Sequence, residues 1–134
     1  MIRRDEWIET IEVPLPAGEE GFRKFGTRKA DAVSVVSLAW RWRRTADGRL
    51  HDVSVALGAV APTVVRARST EAELEDRRPD DQVVDRAMAA LRSEISPIDD
   101  FRTYAQYRRE VAGVMLREVL SARARPEPGS QMST

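Results

Sequence analysis

The stretch that decides the fold is Ile95–Leu120, ISPIDDFRTYAQYRREVAGVMLREVL, because it contains the longest helical period in the chain. Apolar residues recur every three or four positions, as in a helix with one buried face; they are Tyr104, Tyr107, Val111, Ala112, Met115, Leu116, Val119 and Leu120. Charged residues predict that the opposite face meets solvent; they are Arg108, Arg109, Glu110, Arg117 and Glu118. We therefore expect an amphipathic helix that packs on a larger apolar surface.

A compact turn, Ser96–Asp100, precedes this helix. Pro97 fixes its own φ angle, and the carboxylates of Asp99 and Asp100 are suited to accept hydrogen bonds from unpaired amides at the helix start. Two adjacent carboxylates would also suit acid–base chemistry or a divalent ion, but no nearby side chain completes a ligand set. The pattern therefore favours capping over chemistry.

Two strand patterns predict the apolar surface on which the helix lies. Ala32–Arg43 alternates with a period of two residues, and one of its faces consists of Val36, Leu38, Trp40 and Trp42. Leu50–Leu57 places Val53, Val55 and Leu57 on one face. The Ala46-Asp47-Gly48 turn between these strands predicts an antiparallel hairpin.

Other segments before the helices lack a helical period. They are predicted as a short strand at Trp7–Val13, a turn at Ala17–Gly21, an extended piece at Phe22–Gly26, and extended chain at Thr63–Ala67 after a corner at Gly58–Pro62.

Two further helices precede the one at the C-terminus. Thr70 and Glu73 have the spacing of a capping box, which predicts a short helix over Glu71–Asp76. Asp80 or Asp81 is expected to cap a second helix that ends near Glu94. The buried face of this second helix is predicted as Val84, Ala87, Met88, Leu91 and Ile95.

The order of strands first and helices last predicts an α+β fold, with an antiparallel sheet of three to four strands packed against three helices. We expect one domain over residues 1–123 and a disordered tail over 124–134, since the tail has too little apolar content to offset the entropy cost of ordering.

Composition excludes several classes of function. The 22 basic and 22 acidic residues cancel, so net charge names no partner. The absence of cysteine excludes disulfides, thiolate metal sites and thiol nucleophiles, and it fits a reducing compartment. No apolar run approaches the ~20 residues that a spanning helix needs, and no signal peptide is visible. We therefore expect a cytoplasmic protein with no membrane partner.

No complete catalytic or metal site is present in the sequence. His51 is the single histidine, and its neighbour Asp52 would point to the opposite face of a strand, so we expect His51 to be a solvent-facing strand residue. The seven glycines occur singly, which excludes a Walker loop and a G-x-G-x-x-G motif, and no G-x-S-x-G elbow is found. We predict no catalytic residue and no metal ligand.

The run Trp40-Arg41-Trp42-Arg43-Arg44 interleaves aromatic and basic residues, as single-stranded nucleic-acid platforms do. On a strand, however, the two tryptophans face one way and Arg41 and Arg43 face the other. Nucleic-acid binding through these arginines is therefore a weaker alternative.

Three segments taken together resemble one family. They are Phe22-Arg23-Lys24-Phe25 with Arg28-Lys29-Ala30-Asp31, Leu57–Ala67 with Glu71–Leu74, and Ser96–Arg102 with Gln106-Tyr107-Arg108-Arg109. Over Glu6 to Leu120 the chain is similar to the C-terminal domain of the FAD-binding medium subunit of molybdenum hydroxylases, the family of carbon monoxide dehydrogenase and xanthine dehydrogenase. This resemblance implies an α+β domain of antiparallel strands and three helices.

In complete members of that family this domain follows two FAD-binding subdomains, and the flavin passes electrons between iron–sulfur clusters and an acceptor. The glycine-rich FAD loops are absent here, so the resemblance implies FAD only with a partner FAD-binding domain and none for the isolated chain. It makes Lys24, Arg28 and Asp31 candidate cofactor-binding residues. Ala32 stands where some relatives place an aromatic residue that shields the flavin ring. Asp100 is expected to pair with Arg102 or Arg108 and to lock the turn to the last helix.

Two functions from different classes follow. The chain is either an accessory domain of a molybdenum-hydroxylase flavoprotein, with the FAD-binding domain or other subunits as partners, or a stand-alone module. The module would bind a partner or form a homo-oligomer through the face that in relatives packs on the FAD domain.

Overall fold

The computed structural model describes residues 3–13, 17–26, 33–101 and 103–122. Its elements in chain order are β1 (Glu19–Gly26), β2 (Ser34–Arg44), β3 (Leu50–Gly58), β4 (Val65–Arg66), α1 (Arg68–Leu74), α2 (Asp81–Glu94) and α3 (Ala105–Ser121). The strands form one antiparallel sheet in the order β1-β2-β3-β4, so each strand pairs with its neighbours in sequence. The predicted α+β fold is confirmed, whereas the predicted tail, 124–134, lies outside the described residues.

The predicted hairpin forms the centre of the sheet. In β2 and β3, Leu38 pairs with Leu57, and Trp40 pairs with Val55. Gly48 in the connecting turn has φ +86°, a conformation that favours glycine. The alternating apolar residues of both strands therefore lie on one face of the sheet, as the sequence pattern predicts.

The three helices cover this face. α3 packs against β2, α1 packs against β3, and α2 lies against both helices. The residues predicted to be buried on α2 all belong to the core, which also contains Val36, Leu38, Trp42, Val53, Val55, Leu57, Leu74, Met115 and Leu116. The domain therefore has two layers with a single core between them.

β1 is longer than the sequence predicts, because contacts with β2 extend it into the expected turn, to Glu19. The Glu19 carboxylate accepts hydrogen bonds from Trp42 Nε1 at 3.0 Å and from Arg44 Nε at 3.1 Å. Gly21 pairs with Trp40, whose indole lies across it: a Cβ atom at position 21 would come within 2.3 Å of the ring. Tertiary contacts therefore decide the start of this strand.

The strand predicted over residues 7–13 is wrong. These residues are described, but none of them is in a strand, and every one is exposed. The alternating pattern is present in the sequence, yet an extended segment becomes a strand only when a neighbouring strand pairs with its backbone. Among the described residues no strand does so.

The capping box predicted for α1 is also wrong. The helix begins at Arg68, and the Glu73 carboxylate binds Arg77 at 2.7 Å and Arg86 at 3.1 Å. Its first amides are satisfied instead by Glu94 at the end of α2, which accepts hydrogen bonds from the backbone of Ser69 at 2.6 Å and of Thr70 at 3.0 Å. The hydroxyl group of Thr70 also donates to Glu94, at 2.8 Å.

The cap on α2 is as predicted. The Asp80 carboxylate accepts a hydrogen bond from the Val83 amide at 2.8 Å, and the helix ends at Glu94. The N-terminus of α2 is therefore capped by Asp80, the residue just before it, and Glu94 at its C-terminus caps the start of α1.

Replacing Glu94 with glutamine should weaken this capping. Partial burial alone would raise the pKa of Glu94, but the hydrogen bonds from Ser69 and Thr70 outweigh it and hold the pKa below its usual 4.5. The stabilisation is therefore complete above pH 4.5 and is lost as pH falls through the lowered pKa. We expect Glu94→Gln to lower the free energy of unfolding by about 1 kcal/mol at pH 7.

Urea unfolding between pH 7 and pH 3 measures this effect, and the difference between wild type and Glu94→Gln should shrink at the acid end. Glu110→Gln is the matched control, because the Glu110 carboxylate makes an exposed ion pair with Arg92, and such pairs contribute little. A difference that is independent of pH would contradict the capping role.

Candidate functional site

The side chain of Lys24, in β1, lies on the face of the sheet away from the helices. Its neighbours in the strand contact α3: Arg23 Nη1 lies 2.8 Å from the Glu118 carboxylate, and the ring centroids of Phe25 and Tyr107 are 6.2 Å apart. Because successive side chains of a strand alternate, Lys24 lies on the opposite face of the sheet, where it is exposed and pairs in register with Ser37.

The two other predicted cofactor-binding residues, Arg28 and Asp31, lie outside the described residues, as does Ala32. They belong to the connection between Gly26, the last residue of β1, and Val33, which precedes β2. The role of all three candidates therefore stays a prediction, and only Lys24 has a described position.

A buried arginine organises the end of the sheet where β2 begins. Arg108 is 2% exposed, and its Nη1 donates hydrogen bonds to the carbonyl oxygens of Val35 at 2.9 Å and Ala59 at 2.8 Å. Its Nη2 lies 2.8 Å from the Asp100 carboxylate. One guanidinium from α3 thus holds the start of β2, the corner after β3 and the turn before its own helix.

This network confirms the predicted pair between Asp100 and Arg108; the alternative partner, Arg102, lies outside the described residues. The prediction that Arg108 faces solvent is wrong. The signal for its burial is its spacing, since Arg108 precedes Ala112 by four residues and Met115 by seven, and both of these are buried. The charge of Arg108 alone predicts an exposed side chain. The five N–H donors of its planar guanidinium group, however, suit a buried site rich in carbonyl groups.

The corner that Arg108 holds is strained. Ala59 has φ +63°, a left-handed conformation that costs a residue with a Cβ atom about 1 kcal/mol or more. Its carbonyl group is one of the two that accept from Arg108. The guanidinium therefore offsets the cost of a corner between β3 and β4.

The two adjacent aspartates act as caps, as the sequence predicts. Asp99 accepts a hydrogen bond from the Ala105 amide at 2.6 Å, which is the first residue of α3. Asp100 accepts from the Thr103 amide at 3.2 Å in addition to its ion pair with Arg108. Both carboxylates are thus used in local structure.

A cavity of about 270 Å³ adjoins this network. Its lining is mostly apolar, with Arg108 and Asp100 as its charged members; the complete set is Ala59, Ala61, Pro62, Ser96, Ile98, Asp100 and Arg108. Arg108 Nε is buried without a hydrogen-bond partner among the described residues. The core is therefore incompletely filled at this end of the sheet.

Large apolar side chains are exposed around this end of the sheet. We call them the aromatic end, and they are Phe25, Val33, Ile98, Phe101, Tyr104 and Tyr107. Phe101 and Tyr104 are 97% and 75% exposed. Exposed apolar side chains that form a patch mark interaction sites on monomeric proteins, and within this group the rings of Phe25 and Tyr107 are in contact.

The opposite end, at the turn between β2 and β3, is charged. Arg43 pairs with Asp52 there, and Arg49 lies 3.0 Å from Asp47 and 3.4 Å from Asp76. The hydrogen bond from Arg43 holds the pKa of Asp52 below its usual value. No large apolar side chain is exposed in residues 43–52, all of which are described. The two ends of the sheet thus differ in chemistry, and only one resembles an interface.

The tryptophans of β2 do not form an open stacking platform. Trp42 is buried and donates to Glu19, and the ring of Trp40 lies 6.3 Å from that of Trp42 on the helix-covered face. Arg41 lies on the opposite face, as predicted from the strand period. Bases would therefore not meet aromatic rings and guanidinium groups together.

His51 is partly exposed and lies between two carboxylates. Its Nδ1 is 3.6 Å from Glu75 and its Nε2 is 3.6 Å from Asp76. No group of histidine, aspartate and glutamate residues within the described ranges has the geometry of a metal site. None of the described helices is long and apolar enough to cross a membrane.

Comparison with known proteins agrees with the resemblance in the sequence. A family model for the "CO dehydrogenase flavoprotein C-terminal domain" matches residues 21–122. The carbon monoxide dehydrogenase medium chain of Afipia carboxidovorans is 30% identical over 131 residues, covering 92% of this chain and 43% of that protein. The glyceraldehyde dehydrogenase medium chain of Sulfolobus acidocaldarius is 28% identical over 112 residues, covering 84% of this chain and 40% of that protein.

The same similarity is found among solved structures. A carbon monoxide dehydrogenase from Hydrogenophaga pseudoflava, which lacks the Mo-pyranopterin moiety, aligns with a TM-score of 0.70 and 28% identity over 78% of this chain and 36% of that chain. The predicted fold and family are therefore confirmed. The chain spans about two fifths of the length of the two curated relatives.

Removing the buried guanidinium should destabilise the domain strongly. We expect Arg108→Met to lower the free energy of unfolding by about 3–5 kcal/mol, because it removes the ion-pair partner of the Asp100 carboxylate and the Arg108 donor to two carbonyl groups. Arg108→Lys should restore little of this loss, since one ammonium group does not reproduce the planar fork.

Urea unfolding gives the measurement, and Arg109→Met is the control because its side chain is adjacent in sequence but only half-buried. A loss of similar size in both variants would show that Arg108 has no special role. A smaller loss in Arg108→Met combined with Asp100→Asn than in Arg108→Met alone would identify the unpaired carboxylate as a cause.

Proposed function

Since this chain belongs to the family of CO dehydrogenase flavoprotein C-terminal domains, we propose that it completes the flavin site of a molybdenum-hydroxylase flavoprotein whose FAD is held by a separate set of subdomains. It would serve electron transfer by packing against the flavin-binding part, without a catalytic residue of its own. The FAD-binding part and the other enzyme subunits are its proposed partners.

The observation that carries this proposal is the position of the aromatic end. Phe25 is the last residue but one of β1 and Val33 precedes β2, so the connection that bears Arg28 and Asp31 follows and precedes exposed apolar side chains in the sequence. A surface that must exclude water around a bound flavin needs such side chains next to the polar groups that face the cofactor. Lys24 lies one residue before Phe25 and adds a positive charge near the same end.

The residues present fit one side of a flavin site and not a whole one. Binding a dinucleotide pyrophosphate requires clustered glycines or an open helix start, and the glycines of this chain occur singly. Apolar and aromatic side chains with a flanking lysine suit contact with a cofactor, or with the polypeptide around it, that is already in place. Bound FAD would supply the electron carrier.

The role of this chain in such a site is to hold a surface rigid and dry. The guanidinium of Arg108 fixes Val35, which follows the proposed cofactor-facing connection by a few residues, to the body of the domain. Asp99 and Asp100 fix the start of α3, which presents Tyr104 and Tyr107. We propose that these contacts keep the aromatic end in one shape, so that little ordering is needed when the flavin-binding part docks.

The aromatic end should determine this association. We expect Phe101→Asp and Tyr104→Asp to weaken binding to the FAD-binding polypeptide of the source organism by about tenfold or more, because a charge would have to be desolvated at the interface. The melting temperature of the chain alone should stay nearly unchanged, since both side chains are exposed.

Calorimetric titration of the two polypeptides measures the affinity, and Val64→Asp is the control because Val64, at 72% exposed, is close to Tyr104 in exposure but lies outside the aromatic end. Equal effects of all three variants would argue against an interface at this end. Isolation of the chain alone with a full complement of flavin absorption would overturn the accessory role.

The predicted cofactor-facing residues should affect the flavin and not the association. In the assembled flavoprotein, we expect Lys24→Gln, Arg28→Gln and Asp31→Asn each to lower the flavin content or to shift its visible absorption band, because each removes a charge beside the cofactor. Arg78→Gln, an exposed change beyond the opposite end of the sheet, should leave the spectrum unaltered. Spectra of the three variants that match wild type would refute the assignment.

A further inference from the structure

The pairing of β1 with β2 is interrupted by a bulge close to a predicted cofactor-binding residue. Phe25 pairs with Val36, whereas Gly26, the next residue of β1, pairs with Ser34. Val35 is therefore an extra residue in β2. Its side chain and that of Val36 are both buried, at 2% and 0% exposed, although consecutive residues of a regular strand face opposite sides. The register and the burial thus identify the same β-bulge at Val35.

The Arg108 network holds this bulge. A bulge leaves its extra residue out of the strand pairing, and a buried carbonyl group at that position needs another donor. Arg108 supplies it, since its Nη1 donates to the Val35 carbonyl oxygen at 2.9 Å. The Asp100 carboxylate lies 2.8 Å from Nη2 of the same guanidinium group and so helps to fix its orientation. Asp100 is thereby linked to the bulge through Arg108.

The bulge lies beside Lys24, the predicted cofactor-binding residue that has a described position. Lys24 pairs in register with Ser37, two residues after Val35, and its side chain is exposed on the face of the sheet away from the helices. A bulge bends its strand and increases the local twist, and bulges next to active sites serve to re-aim a side chain. The direction in which the Lys24 side chain leaves the sheet therefore depends on the position of the Val35 backbone.

We propose that Asp100 and Arg108 are positioning residues for Lys24. Asp100 orients the guanidinium group, the guanidinium group holds the bulge at Val35, and the bulge sets the direction of the Lys24 ammonium group. The inference rests on the proposed function, since it takes Lys24 to lie beside the flavin in the assembled flavoprotein. It goes beyond that function because it gives the turn before α3 an effect on the flavin that requires no contact between them.

Backbone chemical shifts of the isolated chain test the link between Asp100 and the bulge. Asp100→Asn removes the buried ion pair and should move the resonances of residues 24–26 and 34–36. Asp99→Asn, the same loss of charge one residue away, should leave them in place, because its carboxylate caps α3. Equal changes in both variants, or none at the bulge, would overturn the positioning role and leave the proposed function intact.

A second pair of variants covers the case in which Asp100→Asn does not fold. Asp100→Glu keeps the charge but displaces the carboxylate by one methylene group, and it should move the same resonances by a smaller amount. Asp99→Glu is its control and should leave them in place. Resonances of the bulge that stay at their wild-type positions in Asp100→Glu would then count against the positioning role.

Visible spectra of the assembled flavoprotein test the link between the bulge and the flavin. Asp100→Asn should shift the flavin absorption band in the same direction as Lys24→Gln, and it should add no further shift in combination with Lys24→Gln, because both act through one chain of contacts. Asp99→Asn should leave the band in its wild-type position. An added shift in the combined variant would show that Asp100 does not act through Lys24. A Lys24→Gln spectrum that matches wild type would remove Lys24 from the flavin site, and the inference with it.

Discussion

A buried guanidinium that serves three separate parts of the backbone holds this domain together at one end. Arg108 reaches from α3 to the first residues of β2, to the corner after β3 and to the turn before its own helix. Each contact compensates a group that would otherwise be costly to bury: two carbonyl oxygens and one carboxylate. The corner at Ala59 keeps its strained, left-handed conformation because Arg108 donates a hydrogen bond to the Ala59 carbonyl group. The remaining features of the site, from the cavity to the exposed aromatic side chains, are arranged around this network.

The molecule is asymmetric in what its two ends offer. At the β2–β3 turn, exposed ion pairs satisfy one another and leave a surface suited to water. At the other end, Arg108 and Asp100 form an ion pair within the network, while aromatic and aliphatic side chains are exposed. Because Arg108 and Asp100 pair with each other at this end, the surface that remains for a partner is mainly apolar. Such a surface is suited to a permanent neighbour more than to a diffusing ligand.

The sequence predicts those parts of the fold in which local pattern and tertiary environment agree. The β2–β3 hairpin combines an alternating apolar face with an Asp-Gly turn, and α2 combines an apolar stripe with an aspartate cap, so both are predicted correctly. The capping box at Thr70 fails because a carboxylate from another helix occupies the same amides. The burial of Arg108 is missed because the hydrophobic period assigns every charged residue to the exposed face. The sequence also does not show that two carbonyl oxygens from distant segments come together at this position. The pairing of Asp100 with Arg108 is predicted correctly because the family resemblance carries information about pairing that periodicity lacks.

The pairing of each strand with its neighbours in sequence has a consequence for the order in which the chain acquires structure. All contacts within the sheet are short in sequence and close small loops, whereas α3 is joined to the sheet by hydrogen bonds that span 73 and 95 residues. During synthesis the sheet, α1 and α2 leave the ribosome before Arg108 does. The donor for the carbonyl groups of Val35 and Ala59 is thus synthesised after both of them, and contact of α3 with the sheet closes longer loops than the pairing of neighbouring strands does.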